Sequence, residues 1–461
     1  MANLNVADIQ GFVLRGYNFP FARYLLLELE GPQAGRDFIG QIIPHITTGQ
    51  RWDNGKPQST VNIGFTHKGL VRLGLPDATL LSFPVEFFQG MKGRKEILCD
   101  TGRNASENWD EVWRKDVVHV WLGVNALTPA ALDDRCAQME RILQQTGGAR
   151  LQQAQDAKAV FIDGKATSKE HFGYTDGFGN PDFEGPERHS QPGQGKLTKE
   201  GNWVPLATGE FILGYPDEAG ELPVAPVPHL LANNGTFMVY RKLHENVAAF
   251  RAYVDEQSSH YAGGTEKFAA KMVGRWRDGT PLESSPDAAD PALAADPQRN
   301  VKFTYGQDSD GARCPLGAHI RRANPRDSAG FNGQLVNRRR ITRRGLPYGE
   351  YAPEGARVRD EDERGVIFMV LNASIFRQFE FVHQQWIEYG NDAHQGSDKD
   401  ALLGNHDGKG RFLIQGSTDR LNPPFVCARL PQFVELRGGD YFFVPSLTAL
   451  RLIAGNSVDP R

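Results

Sequence analysis

Short apolar runs alternate with helically spaced apolar positions along the whole chain. In the first half, residues 24–29 (YLLLEL), 60–65 (TVNIGF) and 118–124 (VHVWLGV) read as strands. Residues 68–74 and 129–146 read as helices, the second carrying Leu132, Cys136, Met139 and Leu143 at spacings of four, three and four. The second half repeats the style, with strand-like runs at 236–241, 366–371 and 411–415 and a predicted hairpin at 433–444, where FVEL and YFFV flank Arg437-Gly438-Gly439-Asp440. Val247, Phe250 and Val254 mark one helix after a strand; Ile375, Phe379, Val382 and Trp386 mark another, opening at Ser374 as N-cap. Strands with helices segregated to one face predict an α+β sandwich, and two similar halves divide near residue 205.

A length of 461 residues exceeds what one core usually supports, which agrees with two units, 1–205 and 206–461. Fifty glycines and 28 prolines call for many turns and long loops; 184–200 and 280–299 are polar stretches of that kind. A net charge of −4 gives no general pull toward nucleic acid or anionic membrane. The four cysteines, Cys99, Cys136, Cys314 and Cys427, form no CxxC pair, so neither a disulfide framework nor a zinc site is expected. No basic-then-apolar leader and no 18-residue apolar run are found, so a cytoplasmic location is the expectation.

Three segments concentrate chemistry. Cys314-Pro-Leu-Gly-Ala-His319-Ile-Arg321-Arg322-Ala-Asn324-Pro-Arg326 sets one histidine before several arginines. It reads either as a half-buried histidine beside a solvated basic loop, or as an axial imidazole to haem iron with Arg321 and Arg322 facing propionates. Phe172-Gly173-Tyr-Thr-Asp176-Gly177-Phe178-Gly179 is either an Asx-turn in a glycine-rich loop or a carboxylate held at a flat ligand as a proton shuttle. Arg338-Arg339-Arg340-Ile341-Thr342-Arg343-Arg344 is either a solvated basic strand, a nucleic-acid patch, or a strand turning one arginine into a pocket; extended backbone would put Arg339, Ile341 and Arg343 on one face. No GxxxxGK[ST], GxSxG or HExxH occurs.

Together these segments resemble the dye-decolourising peroxidases, among their larger, long-loop members. The Gly-x-x-Asp-Gly motif is Gly173–Gly177, the proximal segment is Cys314–Arg326, and Arg343 precedes the Pro347-Tyr348-Gly349 turn. The resemblance implies two ferredoxin-like domains, each an antiparallel sheet with helices, and non-covalent haem b held mainly by the second. It implies His319 as iron ligand and Asp176 and Arg343 as catalytic residues, with Arg344 and Arg340 as alternatives to Arg343. Gly177, Phe178, Ile367 and Phe368 are expected beside the cofactor with Arg321 and Arg322. Asp400, placed by its spacing to Gly404, is expected on the second imidazole nitrogen. The implied reaction reduces hydrogen peroxide and oxidises dyes or phenols through a ferryl intermediate. A surface aromatic would relay electrons from the aromatic donor, with Tyr348 first and Trp386 and Tyr389 behind it. No nucleic-acid or membrane partner is expected, and a dimer is one option for the oligomeric state. A non-catalytic haem-binding protein on the same fold is the second reading.

Overall fold

The apolar runs of the first half become four antiparallel strands, β1 (Phe21–Leu29), β2 (Ser59–Phe65), β3 (Val120–Ala126) and β4 (Ala149–Lys158). Helix α1 (Pro32–Ile42) follows β1 and buries Phe38, Ile39 and Ile42; α2 (Pro129–Thr146) follows β3. Thr128 caps α2 by accepting the Ala131 N–H at 3.2 Å, proline takes the first helical position, and Gly147 ends it in the left-handed region. The described residues of this computed structural model are 4–186, 191–331, 333–416 and 423–460.

The second half builds its sheet from β5 (Thr236–Glu245), β6 (Thr342–Arg343), β7 (Leu346–Gly349), β8 (Arg364–Asn372) and β9 (Val434–Val444), with α3 (Val247–Ser258) after β5. Across the nine-stranded sheet the order runs β6–β8–β5–β9–β2–β3–β1–β4, with β7 also on β8. With β6 and β7, which both pair with β8, counted as one interrupted strand, each half reads second, third, first, fourth strand, and the two copies join edge to edge. Their junction is narrow: β9 meets β2 at the single pair Phe443 and Phe65. The sheet rolls up, because Tyr24 of β1 lies 6.0 Å ring to ring from Tyr240 of β5, four strands away. Its far edges approach as well, where Lys158 of β4 pairs with Glu350 beside β7 at 2.6 Å.

The expected hairpin at 433–444 is instead one continuous strand. Its neighbour β5 runs the full length, so the glycines are absorbed as a bulge: Leu436 pairs with Leu243 and Gly439 with Arg241, leaving Arg437 and Gly438 opposite Lys242. Gly438 is required there, since its φ is +124° and a Cβ would meet Trp113 at 2.3 Å. The helix expected after Ser374 winds as wide π-type turns over Phe376–Glu380 and Val382–Ile387, with Ser374 Oγ accepting the Arg377 N–H at 3.2 Å. Run 411–415 joins a separate two-stranded ribbon. The polar stretch 280–299 holds a short helix, Pro291–Ala295, capped by Asp290; of 184–200, residues 187–190 lie outside the described residues.

The sheet has two working faces. Tyr240 of β5 points into the rolled interior with Trp113 and Phe442. Arg241, Leu243 and Glu245 point the other way, into a cavity beneath the long insertions. Phe443 lies against Phe83 and Phe237 at the junction of the halves. Phe443→Ala is expected to cost about 3–5 kcal/mol and to lower the urea midpoint with little change in slope, measured by equilibrium unfolding.

Candidate functional site

The cavity, of about 340 Å³, is lined by residues from four stretches of chain: the turn 170–179, the face of β5, β8 and β9, the insertion 273–343, and the segment 379–403. On the sheet the lining follows register. Val366 pairs with Leu243 and Leu243 with Leu436, so these three side chains share one face; Phe368 and Arg241 form the next row. Ile367, expected at the cofactor, pairs with Lys242 and lies on the opposite face, fully buried in the main core. The parity of the strand decides this, and Phe368 takes the place beside the cavity.

His319 opens a five-residue helix, His319–Ala323. Its Nδ1 lies 3.1 and 3.2 Å from the two carboxylate oxygens of Asp400. Asp400 is fully buried, and its Oδ1 also accepts the N–H groups of Leu402 and Leu403 at 2.9 and 2.8 Å. Burial alone would push both groups toward neutrality. Their mutual attraction outweighs it, holding the imidazole above the ordinary histidine range and the carboxyl below the ordinary aspartate range. A carboxylate accepting at Nδ1 fixes the proton there and leaves Nε2 as the basic nitrogen.

Asp176 and Arg343 line the same cavity and touch. Arg343 Nη1 donates to Asp176 Oδ1 at 2.7 Å, Nη2 donates to the Phe178 carbonyl at 2.6 Å, and Asn180 Oδ1 accepts the Arg343 N–H at 2.9 Å. Burial favours the neutral Asp176, but Arg343 and the Gly177 N–H override it and hold the carboxyl below its usual value. Gly177 thus serves Asp176 and is not part of the cavity wall, where Phe178 and Gly179 stand.

Arg321 and Arg322 are not at the cavity. A helix turns 100° per residue, so the face that carries His319 continues through Ile320, Ala323 and Asn324, all of which line the space. Arg321 points inward to Asp308 at 3.0 Å and the Cys314 carbonyl at 2.7 Å; Arg322 donates to the carbonyls of Trp386, Asp398 and Tyr389. Besides Arg343 and Arg241, the latter paired with Asp100, four described arginines face the cavity: Arg275, Arg326, Arg339 and Arg340. Each donates to neutral acceptors: Arg275 to Gly279 and Asn300, Arg326 to Phe303, Arg339 to the Arg377 carbonyl and Arg340 to Gly179. Burial, and then the neighbouring Arg326 charge, push Arg275 down to about 10 and Arg340 down to about 9. Arg326 sits in the motif that carries His319, whereas Arg275 lies in a loop with no sequence signal at all. Arg344 turns away to the Phe12 carbonyl at 2.5 Å. Arg340 lines the cavity together with Arg339, Ile341 and Arg343, because only Thr342–Arg343 is extended and strict alternation does not hold.

Of the expected relay residues, Tyr348 is buried with its ring under Lys242, far from the surface role assigned to it. It belongs to β7, whose side chains at that position face the core. Trp386 is buried too, donating to Asp392 at 3.2 Å and clustering with Val382 and Ile387, which line the cavity. Tyr389 is 46% exposed.

A single histidine can hold a metal only when the other ligands arrive with it, and among the described residues no group of three His, Cys, Asp or Glu could do so. A basic Nε2 aimed at the cavity and four guanidiniums without an anionic partner in the hydrogen bonds above fit a flat macrocycle carrying carboxylates. The chain is similar to known proteins on the same lines. Residues 8–156 match the family described as the DyP dimeric alpha+beta barrel domain. Dye-decolorizing peroxidase msp1 of Mycetinis scorodonius is 27% identical over 98% of this chain and 88% of its own. Multifunctional dye peroxidase DyP2 of an Amycolatopsis species is 32% identical over 61% of this chain and 60% of its own. An ancestral D-type dye-decolorizing peroxidase superposes with a TM-score of 0.82 at 28% identity, covering 98% of this chain and 99% of that one. A dye-decolorizing peroxidase solved with 2,6-dimethoxyphenol also gives 0.82, at 26% identity over 98% and 100%.

Removing Arg343 leaves Asp176 with its burial cost and no adjacent cation. Arg343→Leu is therefore expected to raise the Asp176 pKa, read by infrared titration of the carboxyl.

Proposed function

Because the chain belongs to the dye-decolourising peroxidase family, we propose that His319, Asp176 and Arg343 carry a hydrogen-peroxide-dependent oxidation of phenols and dyes. The protein is a haem b peroxidase, and the observation that carries the assignment of roles is geometric. An imidazole bound at Nδ1 by a buried carboxylate shares one cavity with a carboxylate–guanidinium pair.

Bound haem supplies the iron that takes two electrons' worth of oxidation from peroxide and passes it on to donors in single-electron steps. His319 Nε2, made more electron-donating by Asp400, would hold the iron. Arg275, Arg326, Arg339 and Arg340 would receive the propionates, in place of the expected Arg321 and Arg322. Asp176 has Oδ1 engaged by Arg343, so Oδ2 would take the proton from one peroxide oxygen and return it to the other. The Arg343 cation keeps that carboxylate ionised into mildly acid solution and stands where negative charge develops.

A bulky dye stays outside such a cavity. We place its oxidation at Tyr389, with the electron passing by Trp386, whose neighbours Val382 and Ile387 line the cavity. The division at residue 205 and a cytoplasmic location belong to the same proposal; four unpaired cysteines support the latter.

His319→Ala is expected to lose the Soret band of the purified protein and all peroxide-driven dye oxidation. Asp176→Asn should keep the Soret band and lose about 10²–10⁴-fold in kcat with peroxide; unchanged turnover would remove Asp176 from the mechanism. Tyr389→Phe should slow bulky dyes several-fold while small phenols are oxidised at the native rate, compared in steady-state assays.

A further inference from the structure

Two further carboxyls line the cavity and have no part in the mechanism above. Glu170 begins the turn that carries Asp176, and its two oxygens accept the N–H groups of Tyr174 and Phe172, both at 2.7 Å. Glu245 ends β5, is buried, and accepts the His171 N–H of the same turn at 3.2 Å. Both residues line the cavity that holds Asp176. Among the hydrogen bonds of the described residues, no arginine or lysine donates to either carboxyl. The neighbouring cations are engaged elsewhere: Lys169 donates to the carbonyls of Gly173 and Arg277, and Arg277 to Glu266 and the Phe172 carbonyl.

Beside them, the Tyr174 hydroxyl is buried on the same wall, with the residue 5% exposed, and has no hydrogen-bond partner. His171 Nε2 donates to the Tyr348 carbonyl, and the ring is held neutral by burial, its pKa pushed down to about 4. The charged or titratable groups facing the pair are thus Lys169, Tyr174, Asp176, Arg277 and the neutral His171 and Tyr348.

Two carboxyls this close to each other, with only backbone donors, cannot both stay ionised cheaply. Burial first, and then the charge of Asp176, raise Glu170 to about 7; burial and the Glu170 charge raise Glu245 well above the ordinary range.

We propose that Glu170 and Glu245 together hold one proton at neutral pH and exchange it with Asp176 through cavity water, forming a proton store for the peroxidase cycle. This rests on the peroxidase reading, and the need follows from its balance. Hydrogen peroxide, two electrons and two protons give two waters, and an electron relayed from a dye at the surface arrives without its proton. The store supplies it: the glutamic acid O–H bond breaks, the proton passes to the Asp176 carboxylate, and the glutamate left behind is reprotonated from solvent. No electrons move in this step.

Infrared spectra of the holoprotein, with no peroxide present, test the pair apart from the peroxidase reading. The native protein should show a protonated-carboxyl band at neutral pH that shifts in D2O and titrates away as pH rises. That band should lose the Glu245 share of its intensity at neutral pH in Glu245→Gln, the remainder titrating as Glu170 alone, and should persist in Asp176→Asn. In turnover, the alkaline limb of dye oxidation should move to lower pH by about one unit in Glu245→Gln. Glutamine keeps the volume and the acceptor for the His171 N–H. Should the variant still fail to fold, the native titration decides alone. Absence of an exchangeable carboxyl band, an undiminished band in Glu245→Gln, or an unmoved alkaline limb would overturn the proposal.

Discussion

Taking a charge out of water is costly unless a partner of opposite sign comes with it, and most of this interior obeys that rule closely. Asp400 faces His319 with two backbone donors behind it, Arg321 faces Asp308, Arg241 faces Asp100 and Glu380 faces Arg94. The cavity wall is where the rule is relaxed. Arg275, Arg326, Arg339 and Arg340 keep their charge against carbonyl and amide acceptors, at a cost visible in the lowered values of Arg275 and Arg340. Such a wall is suited to an anionic group that would complete it, and the remaining features of the site are consistent with that.

The site is assembled from segments far apart in sequence, each fixed locally before it meets the others. Asp176 rides on a turn stapled by Glu170, and its backbone N–H is held by the Ser168 carbonyl at 2.7 Å. Asp400 is oriented by the next two N–H groups of its own loop. Arg343 is pinned through its backbone to Asn180 and through its guanidinium to the Phe178 carbonyl. What the tertiary fold adds is the sheet face of β5, β8 and β9, a rigid apolar wall against which these polar groups are set.

Strands were legible because alternation and apolar runs are local properties; β1, β2, β3, β5 and β8 all lie within a few residues of the runs that announced them. His319, Asp176 and Arg343 were legible because each sits in a segment of unusual composition, and Asp400 because of its spacing to Gly404. Arg321 and Arg322 misled because proximity in sequence to the histidine is not proximity in space: Arg321 turns to Asp308 and Arg322 to the carbonyls of Trp386, Asp398 and Tyr389, while Ile320 and Ala323 take the cavity side. Ile367 misled for the analogous reason on a strand, where one step in register separates cavity from core. Arg275 was invisible, since nothing in Gly274-Arg275-Trp276 tells which of many loop arginines folds back over a pocket.

The bulge at Arg437 and Gly438 changes the parity of β9 partway along its length. Before it, the even-numbered Val434 and Leu436 look into the cavity; after it, the even-numbered Phe442 packs into the rolled interior against Tyr240. One strand thereby furnishes two separate interiors with apolar side chains from a single alternating sequence. Deleting one residue there would close the bulge and leave both rows in step, Leu436 still opposite Leu243 and Gly439 opposite Arg241. A second deletion has no slack to draw on: it would slip one side of the strand by a residue and turn Glu435 toward the space now walled by Leu436.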